Sequence, residues 1–481
     1  MSDLYQKYCD CGYRVTTDSR AIKGGEIFFA LRGETFDGNT FAAKALADGA
    51  AWAVVNADAD LPEDSRFIRV DDPLATLRDL AIWHRTHVRG GKLPVIGLTG
   101  TNGKTTTKNL IAAVLERKYR VTATQGNLNN DIGVPLSLLS IRPDTEIAVI
   151  EMGANHPDDI EKLVRVSQPD YGLITNVGRA HLLGFGSFEG VKQAKGALYR
   201  WLGSHPGGLI FLNEDDADLR EMASGEPCHF FGYGLDYQGA SVLPATPESP
   251  FLRLSVKGVE VRTRLVGAYN ATNVLAALAV GEYFGVPFAD AVAAIESYVP
   301  ANQRSQLVRT ERNTLIIDAY NANPSSMRAA LENFAAMDAP RRLALLGDMR
   351  ELGAESLDEH VKIVRLLQEY RLPAMLVGEE FSKALAAVSE KEGKPSGVTA
   401  VAATLFYRGG VPLELPGPQR GLLIRQLLAS FDQIADCGKD YCCFDDSVAL
   451  AEYLRENPVS GAAILVKGSR GIKMENVLPE L

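Results

Sequence analysis

The sequence predicts an α/β protein of mostly parallel sheets wound on both faces, and three observations predict it. Short apolar runs recur with amphipathic stretches between them. They are "LPVIGLTG" (93–100), "EIAVIEMG" (146–153), "YGLITNVG" (171–178), "GGLIFLNE" (207–214), "TLIIDAYN" (314–321), "RLALLGDM" (342–349), "AMLVGE" (374–379) and "AAILVKGS" (462–469). Runs that are apolar throughout suit strands covered on both faces, and their alternation with helices suits doubly wound packing. Polar or glycine-rich motifs follow these runs directly, at the edge where such sheets bind ligands. The chain of 481 residues is 46 % hydrophobic and 23 % charged, as in ordinary globular proteins.

The net charge of -10 argues against a nucleic-acid or membrane-surface binder, because those present basic faces. The opening "MSDLYQKYCDCGYRV" has no apolar h-region, and no uninterrupted apolar stretch reaches a membrane span. A cytoplasmic location without membrane insertion is expected. Cys9 and Cys11 form C-x-C, Cys442 and Cys443 are adjacent, and Cys228 and Cys437 stand alone. None has metal-ligand spacing, so reduced thiols are expected.

Two linkers divide the chain. "HVRGGKLP" (87–94) precedes the first long apolar run, and "SYVPANQRSQ" (297–306) precedes the "LIID" strand. Domains are expected over 1–92, 93–302 and 303–481. Between the linkers, "FLRLSVKGVEVRTRLVG" (251–267) alternates around Lys257-Gly258 like a hairpin. The stretch 385–440, with "LFYRGGVPLELPGPQRGLLIRQLL", fits no α/β alternation and is read as a surface excursion without an assigned role.

Five stretches carry chemistry. "VIGLTGTNGKTTTKNL" (95–110) runs from strand through loop to helix, and approximates the phosphate-loop pattern G-x-x-x-x-G-K-[ST] with Leu98 at the first glycine position. Gly100 and Gly103 permit the backbone angles that wrap a phosphate, Lys104 would reach the β- and γ-phosphates, and Thr105 would ligate Mg²⁺. Glu151 ends the next long apolar strand. A carboxylate there suits Mg²⁺ better, beside a phosphate loop, than it suits a solvated cap. In 176–199, His181 follows a strand on the same expected edge, which is compatible with a second metal ligand or with a surface histidine. Lys192 and Lys195 follow on a helix, where the residues alone do not reject two solvated lysines. Asn270 and Asn273 open an alanine-rich helix, and capping is preferred over contact with a base. Asp318 ends a strand, where it would bind ribose hydroxyls or form a turn before the helix that starts near Pro324.

With these stretches in place, the chain resembles the Mur ligases, ATP-dependent amide-bond-forming enzymes of peptidoglycan precursor synthesis. The resemblance rests on "GLTGTNGKTTT", "TDSR", "GEIFFALRGETFDGNTFAAKALADGA", "TQGNLNNDIGVPLSLL", "EMGANHPDDI", "DAYNANPSSMRAAL", "LGDMRELG" and "ILVKGSRGIKME". In that family the loop reads T-G-T-N-G-K-[ST], so Leu98 is no defect. The resemblance implies an N-terminal α/β UDP-binding domain, a central ATPase-like domain and a C-terminal Rossmann-like domain. It implies that ATP activates the carboxylate of UDP-N-acetylmuramoyl-tripeptide as an acyl phosphate, which D-alanyl-D-alanine then attacks; a monomer is expected. It puts Ser19, Arg20, Asp37, Asn39, Asn127 and Asn130 on the UDP-sugar substrate. Gly100, Thr101, Asn102, Gly103, Lys104, Thr105, Thr106, Asn270, Asn273, Arg304 and Asp318 fall on ATP. Thr105, Glu151, His181 and Lys195 fall on Mg²⁺, with Lys195 as a carbamate, and Lys467, Ser469 and Arg470 fall near the acceptor. Lys104, Glu151, His181 and Lys195 are the implied catalytic set. Where many relatives carry an acidic residue two places after the carbamate lysine, this chain has Ala197. The nearest alternative is a sibling adding a diamino acid, although its D-N-P-R stretch is absent; a non-catalytic nucleotide switch is the other.

Overall fold

Every apolar run quoted above forms a strand in the computed structural model, which describes residues 1–244, 250–300, 304–391 and 441–481. These fall into two compact units. One comprises Met1–Val177, Glu189–Gln238 and Thr272–Ile295; the other comprises Gly178–Phe188, Gly239–Ala271 and Glu296–Leu481. Most of the 385–440 stretch lies outside the described residues.

The first unit holds two sheets. Val15–Thr16, Ile27–Phe29, Trp52–Asn56 and Phe67–Val70 pair in that order, all parallel. The second sheet runs His229–Tyr233, Leu209–Asn213, Tyr171–Ile174, Val95–Thr99, Ile147–Glu151 and Val121–Ala123, again all parallel. Its central strands Val95–Thr99 and Ile147–Glu151 are buried at every position, as continuous apolar runs require. The chain leaves Val95–Thr99 toward one side of the sheet and later builds the other side, so that strand ends at a topological switch point.

Hydrogen bonds tie the N-terminal elements to this sheet's helices. The Tyr8 hydroxyl donates to the Leu139 carbonyl at 2.7 Å, and His84 Nε2 meets the Ile141 carbonyl at 3.0 Å. Because Ile141 can only accept, His84 carries its proton on Nε2 and accepts from the Tyr5 hydroxyl on Nδ1.

The second unit holds an antiparallel sheet of Ser241–Leu243, Arg253–Val256 and Val259–Arg262. The expected hairpin is present: Val256 faces Val259 across Lys257 and Gly258, both at positive φ, as a two-residue primed turn demands. The larger sheet runs Gln306–Arg309, Thr314–Asp318, Ala463–Lys467, Arg342–Gly347, Ala374–Val377 and Tyr441–Phe444, antiparallel only at its first pair. Side chains alternate between its faces. Ile316, Ala344, Leu346 and Leu465 pack on Met327, Leu331, Phe334, Ile363 and Phe381. Leu315, Ile317, Leu345 and Ile464 pack on Leu450, Leu454, Met474 and Val477. Both faces are covered, which is the doubly wound arrangement.

Candidate active site

The loop after Val95–Thr99 is shaped by glycine and clamped by the neighbouring strand. Gly100 has φ +148, and a Cβ there would come within 1.9 Å of Thr175 Oγ1. Thr175 uses that hydroxyl to hold the Asn102 carbonyl at 2.6 Å. Asn176 completes the clamp: its Oδ1 accepts from the Asn102 N–H at 2.9 Å, its Nδ2 donates to the Asn102 carbonyl at 3.0 Å, and its own carbonyl accepts from Thr101 N–H. Gly103, at φ +79, precedes the helix Lys104–Leu115, whose first-turn N–H groups face the loop. A Cβ on Gly103 would press on Asn273 at 2.7 Å. Leu98 is a fully buried residue of the strand, so the glycine pattern simply begins later.

Lys104 folds onto its own loop, with Nζ donating to the Gly100 carbonyl at 2.7 Å and the Thr101 carbonyl at 3.1 Å. Thr105 donates from Oγ1 to Glu151 Oε1 at 3.2 Å, and Asn129 Nδ2 donates to the same oxygen at 2.8 Å. Glu151 is 1 % exposed, and its Oε2 is buried with no hydrogen-bond partner among the described residues. A buried carboxylate oxygen left unpaired is costly unless a cation meets it. The hydroxyl, the carboxylate and the phosphate cradle form a donor set that fits Mg²⁺, an ion that takes few protein ligands. Among the described residues no group of three or more His, Cys, Asp or Glu is arranged as a metal cluster.

Neither Lys192 nor Lys195 is solvated. Lys192 donates to Asp218 Oδ1 at 3.1 Å and Glu221 Oε2 at 2.5 Å. Lys195, 2 % exposed, donates to the Gly100 carbonyl at 3.1 Å. Burial, and then the charge of Lys104, hold the Lys195 amine well below the ordinary lysine range. Both effects disfavour its protonated form.

Asn273 is the third residue of the helix Ala271–Tyr283, and its Oδ1 accepts from the Thr107 hydroxyl at 3.0 Å. Asn270 closes the preceding turn, donating to the Val266 carbonyl at 2.8 Å. Asn130 Oδ1 accepts from the Gly133 N–H at 2.8 Å, where the helix Gly133–Leu139 begins, while Asn127 is exposed. Near the N-terminus, Ser19 and Arg20 form a short turn capped by Asp18, which Arg20 also grips at 2.9 Å. Asp37 accepts from Asn39 N–H at 2.9 Å and from Arg32 at 3.1 Å; buried Asn39 is tied to Asn56.

In the second unit, His181 sits in left-handed backbone before the helix Leu182–Phe185, and its Nδ1 pairs with the carboxylate of Glu351. Asp318 makes no turn before the next helix. Asn323 caps Pro324–Ala335 in a capping box with Ser326, and Asp318 instead accepts from Ser305 N–H at 3.3 Å and from Lys467. Lys467 is 1 % exposed, so this ion pair is buried on its side. Ser469 Oγ accepts from Arg350 N–H at 2.9 Å. The guanidiniums of Arg304 and Arg470 both lie over the ring of Tyr320.

Sequence reasoning missed Asn129, Thr175, Asn176, Tyr320 and Glu351. The pair Thr175-Asn176 carried one usable signal, since it directly follows an apolar run that adjoins the loop strand.

Comparison with known proteins accounts for this arrangement. Residues 98–281 match the Mur ligase middle domain, 303–409 the Mur ligase glutamate ligase domain, and 13–83 the Mur ligase catalytic domain family. The UDP-N-acetylmuramoyl-tripeptide–D-alanyl-D-alanine ligase of Bacillus subtilis is 37 % identical over 346 residues, covering 70 % of this chain and 74 % of that protein. The Escherichia coli enzyme of the same name is 36 % identical over 359 residues, covering 73 % and 77 %. A MurF crystal structure from Acinetobacter baumannii matches with a TM-score of 0.75 at 30 % identity, covering 97 % of this chain and 93 % of that one. The phosphate loop, its carboxylate and its buried lysine thus sit in a sequence whose family is established: the chain belongs to the Mur ligase family.

Proposed function

We infer that this ligase joins D-alanyl-D-alanine to the carboxylate of UDP-N-acetylmuramoyl-tripeptide at the expense of ATP, in the cytoplasm. The observation that carries the reading is the cluster at the loop, where Lys104, Thr105, Glu151 and Lys195 converge within one unit. The names of the relatives at 36 % and 37 % identity supply the substrates. Domain boundaries near 92 and 302 go with this reading, and a monomer suffices for it.

The tripeptide carboxylate attacks the γ-phosphate, ADP leaves, and an acyl phosphate forms. Two anions must approach, so positive charge has to gather. Lys104 exchanges its loop carbonyls for phosphate oxygens, and the helix start at Gly103 and Lys104 supplies N–H donors. Thr105 and Glu151 would hold Mg²⁺, with a carbamate on Lys195 as a further ligand; the ion would supply charge neutralisation at the phosphates. In its neutral form the buried Lys195 amine would attack CO₂ and release a proton, which makes it a carbamate anion. Arg304, Asp318, Asn270 and Asn273 bind the nucleotide. Ser19, Arg20, Asp37, Asn39, Asn127 and Asn130 bind the UDP-sugar end. The amine of D-alanyl-D-alanine, oriented by Lys467, Ser469 and Arg470, attacks the acyl carbon and expels phosphate.

A single assay tests this. Purified protein is given ATP, the UDP-muramoyl dipeptide or tripeptide, and candidate amines, and phosphate and amide mass are followed. Phosphate release with a pentapeptide product, only from tripeptide plus D-alanyl-D-alanine, is expected. Turnover with a diamino acid on the dipeptide would overturn the reading in favour of the sibling reaction.

A further inference from the structure

We propose that Tyr320 is a positioning residue whose ring holds Arg304 and Arg470 as a paired receptor for one oxyanion of the reactants. The Arg304 guanidinium carbon lies 3.6 Å from the centre of the Tyr320 ring, and that of Arg470 lies 4.9 Å from it. Both cations are therefore within 5 Å of one aromatic centre. Among the described residues neither guanidinium has an ion-pair or hydrogen-bond partner. Like charges gathered on one ring repel, and the quadrupole of the ring offsets this only in part. An aromatic platform differs from a carboxylate in one respect: it holds a cation without neutralising it. The neighbouring Lys467 shows the contrast, because Asp318 takes up its charge.

The placement is that of a ligand edge. Tyr320 stands two residues beyond the strand Thr314–Asp318, and Arg470 three residues beyond its parallel neighbour Ala463–Lys467. Arg304 is anchored by the next residue. Ser305 adopts left-handed backbone, gives its N–H to Asp318, and shares a hydrogen bond of 3.0 Å with the Tyr269 hydroxyl. Three side chains from separate segments thus meet at the carboxyl ends of adjacent parallel strands, where such sheets bind ligands. The arginine forks match a planar carboxylate or the face of a phosphoryl group. The ligase reading above, on which this proposal rests, supplies both: the free carboxylate of the dipeptide acceptor and the phosphates of ATP.

The test uses the full chain with Tyr320→Phe and Tyr320→Leu, kinetic constants for each substrate, and melting curves to verify folding. Tyr320→Leu is expected to raise the KM of one anionic substrate by about tenfold with a smaller change in kcat, while Tyr320→Phe stays within about twofold of wild type. A rise for D-alanyl-D-alanine that disappears with its C-terminal amide assigns the acceptor carboxylate. A rise for ATP assigns phosphate. All KM values unchanged in a folded Tyr320→Leu would overturn the proposal, as would equal damage from Tyr320→Phe, since the ring face would then be irrelevant. Absence of ligation by the wild-type protein would instead sink the ligase reading itself.

Discussion

Lys195→Met should abolish ligation and yet remove a pH-dependent weakness of the fold. The side chain is 2 % exposed, lies near the charges of Lys104 and, more weakly, Asp159, and donates to the Gly100 carbonyl. Burial and then Lys104 depress its pKa, so the native state resists the proton that the unfolded chain accepts. The sign follows: between the depressed native value and the ordinary lysine value, the unfolded state binds more protons, and stability falls as pH falls. Each pH unit in that window costs about 1.4 kcal/mol. From about pH 9 down to about pH 7, both below the ordinary lysine value, the uncarbamylated wild type should therefore lose stability relative to Lys195→Met, which has no proton to take up. Groups distant from Lys195 titrate alike in both proteins and cancel. The measurement is urea unfolding of both proteins at the two pH values, in buffer stripped of CO₂ and divalent ions. Adding bicarbonate and Mg²⁺ should then stabilise the wild type selectively. Parallel stability curves for the two proteins would show that Lys195 is charged in the fold, and the carbamate argument would fail with it.

Three further outcomes are expected. Gly100→Ala puts a Cβ 1.9 Å from Thr175 Oγ1 at φ +148; strain and the lost Asn102 contact should cost about 2–4 kcal/mol locally, and calorimetry should show weakened ATP binding. Glu151→Gln keeps an acceptor for Thr105 and Asn129 but replaces the unpaired Oε2; folding should persist while the Mg²⁺ concentration for half-maximal activity rises about tenfold or more, as a Mg²⁺ titration would show. Burial pushes His84 down to about 4. The native state therefore binds fewer protons than the unfolded chain below the ordinary histidine range, and about 3 kcal/mol of stability should disappear as pH falls from there to about 4. His84→Gln should flatten that acid limb in thermal melts, and an unchanged limb would contradict the assignment.

What could be read in advance from the fold divides along burial. Strands buried on both faces are apolar at nearly every position, so "VIGLT" and "AILVK" announce themselves. Edge strands carry no such mark. Val121–Ala123 is three residues long and half-buried, and His229–Tyr233 opens with two exposed residues. Gln306–Arg309 is edge, antiparallel and half-exposed. Nothing local separates these from loops, because hydrogen bonding to a strand far away in sequence makes them strands. The single antiparallel pair of the second unit's six-stranded sheet was invisible for the same reason.

The site divides along chemistry. Lys104, Thr105 and Glu151 could be singled out because residue type and position after a strand suffice to name a phosphate or metal role. Asn129, Thr175 and Asn176 could not, since a neutral polar residue acquires its meaning from its partner. Register alone brings Thr175 to the loop: Thr99 pairs with Ile174, so the next residue on each strand must meet. The two lysines of the Phe188–Gly203 helix make the same point more sharply. Lys192 and Lys195 are three residues apart on one helix face and both are buried. Their spacing and residue type are identical, so the sequence treats them alike. Lys192 meets Asp218 and Glu221, and its charge is held in place. Lys195 donates to a carbonyl beside the charge of Lys104, and its protonated form is disfavoured. Tertiary neighbours thus give two lysines of one helix face opposite electrostatic settings.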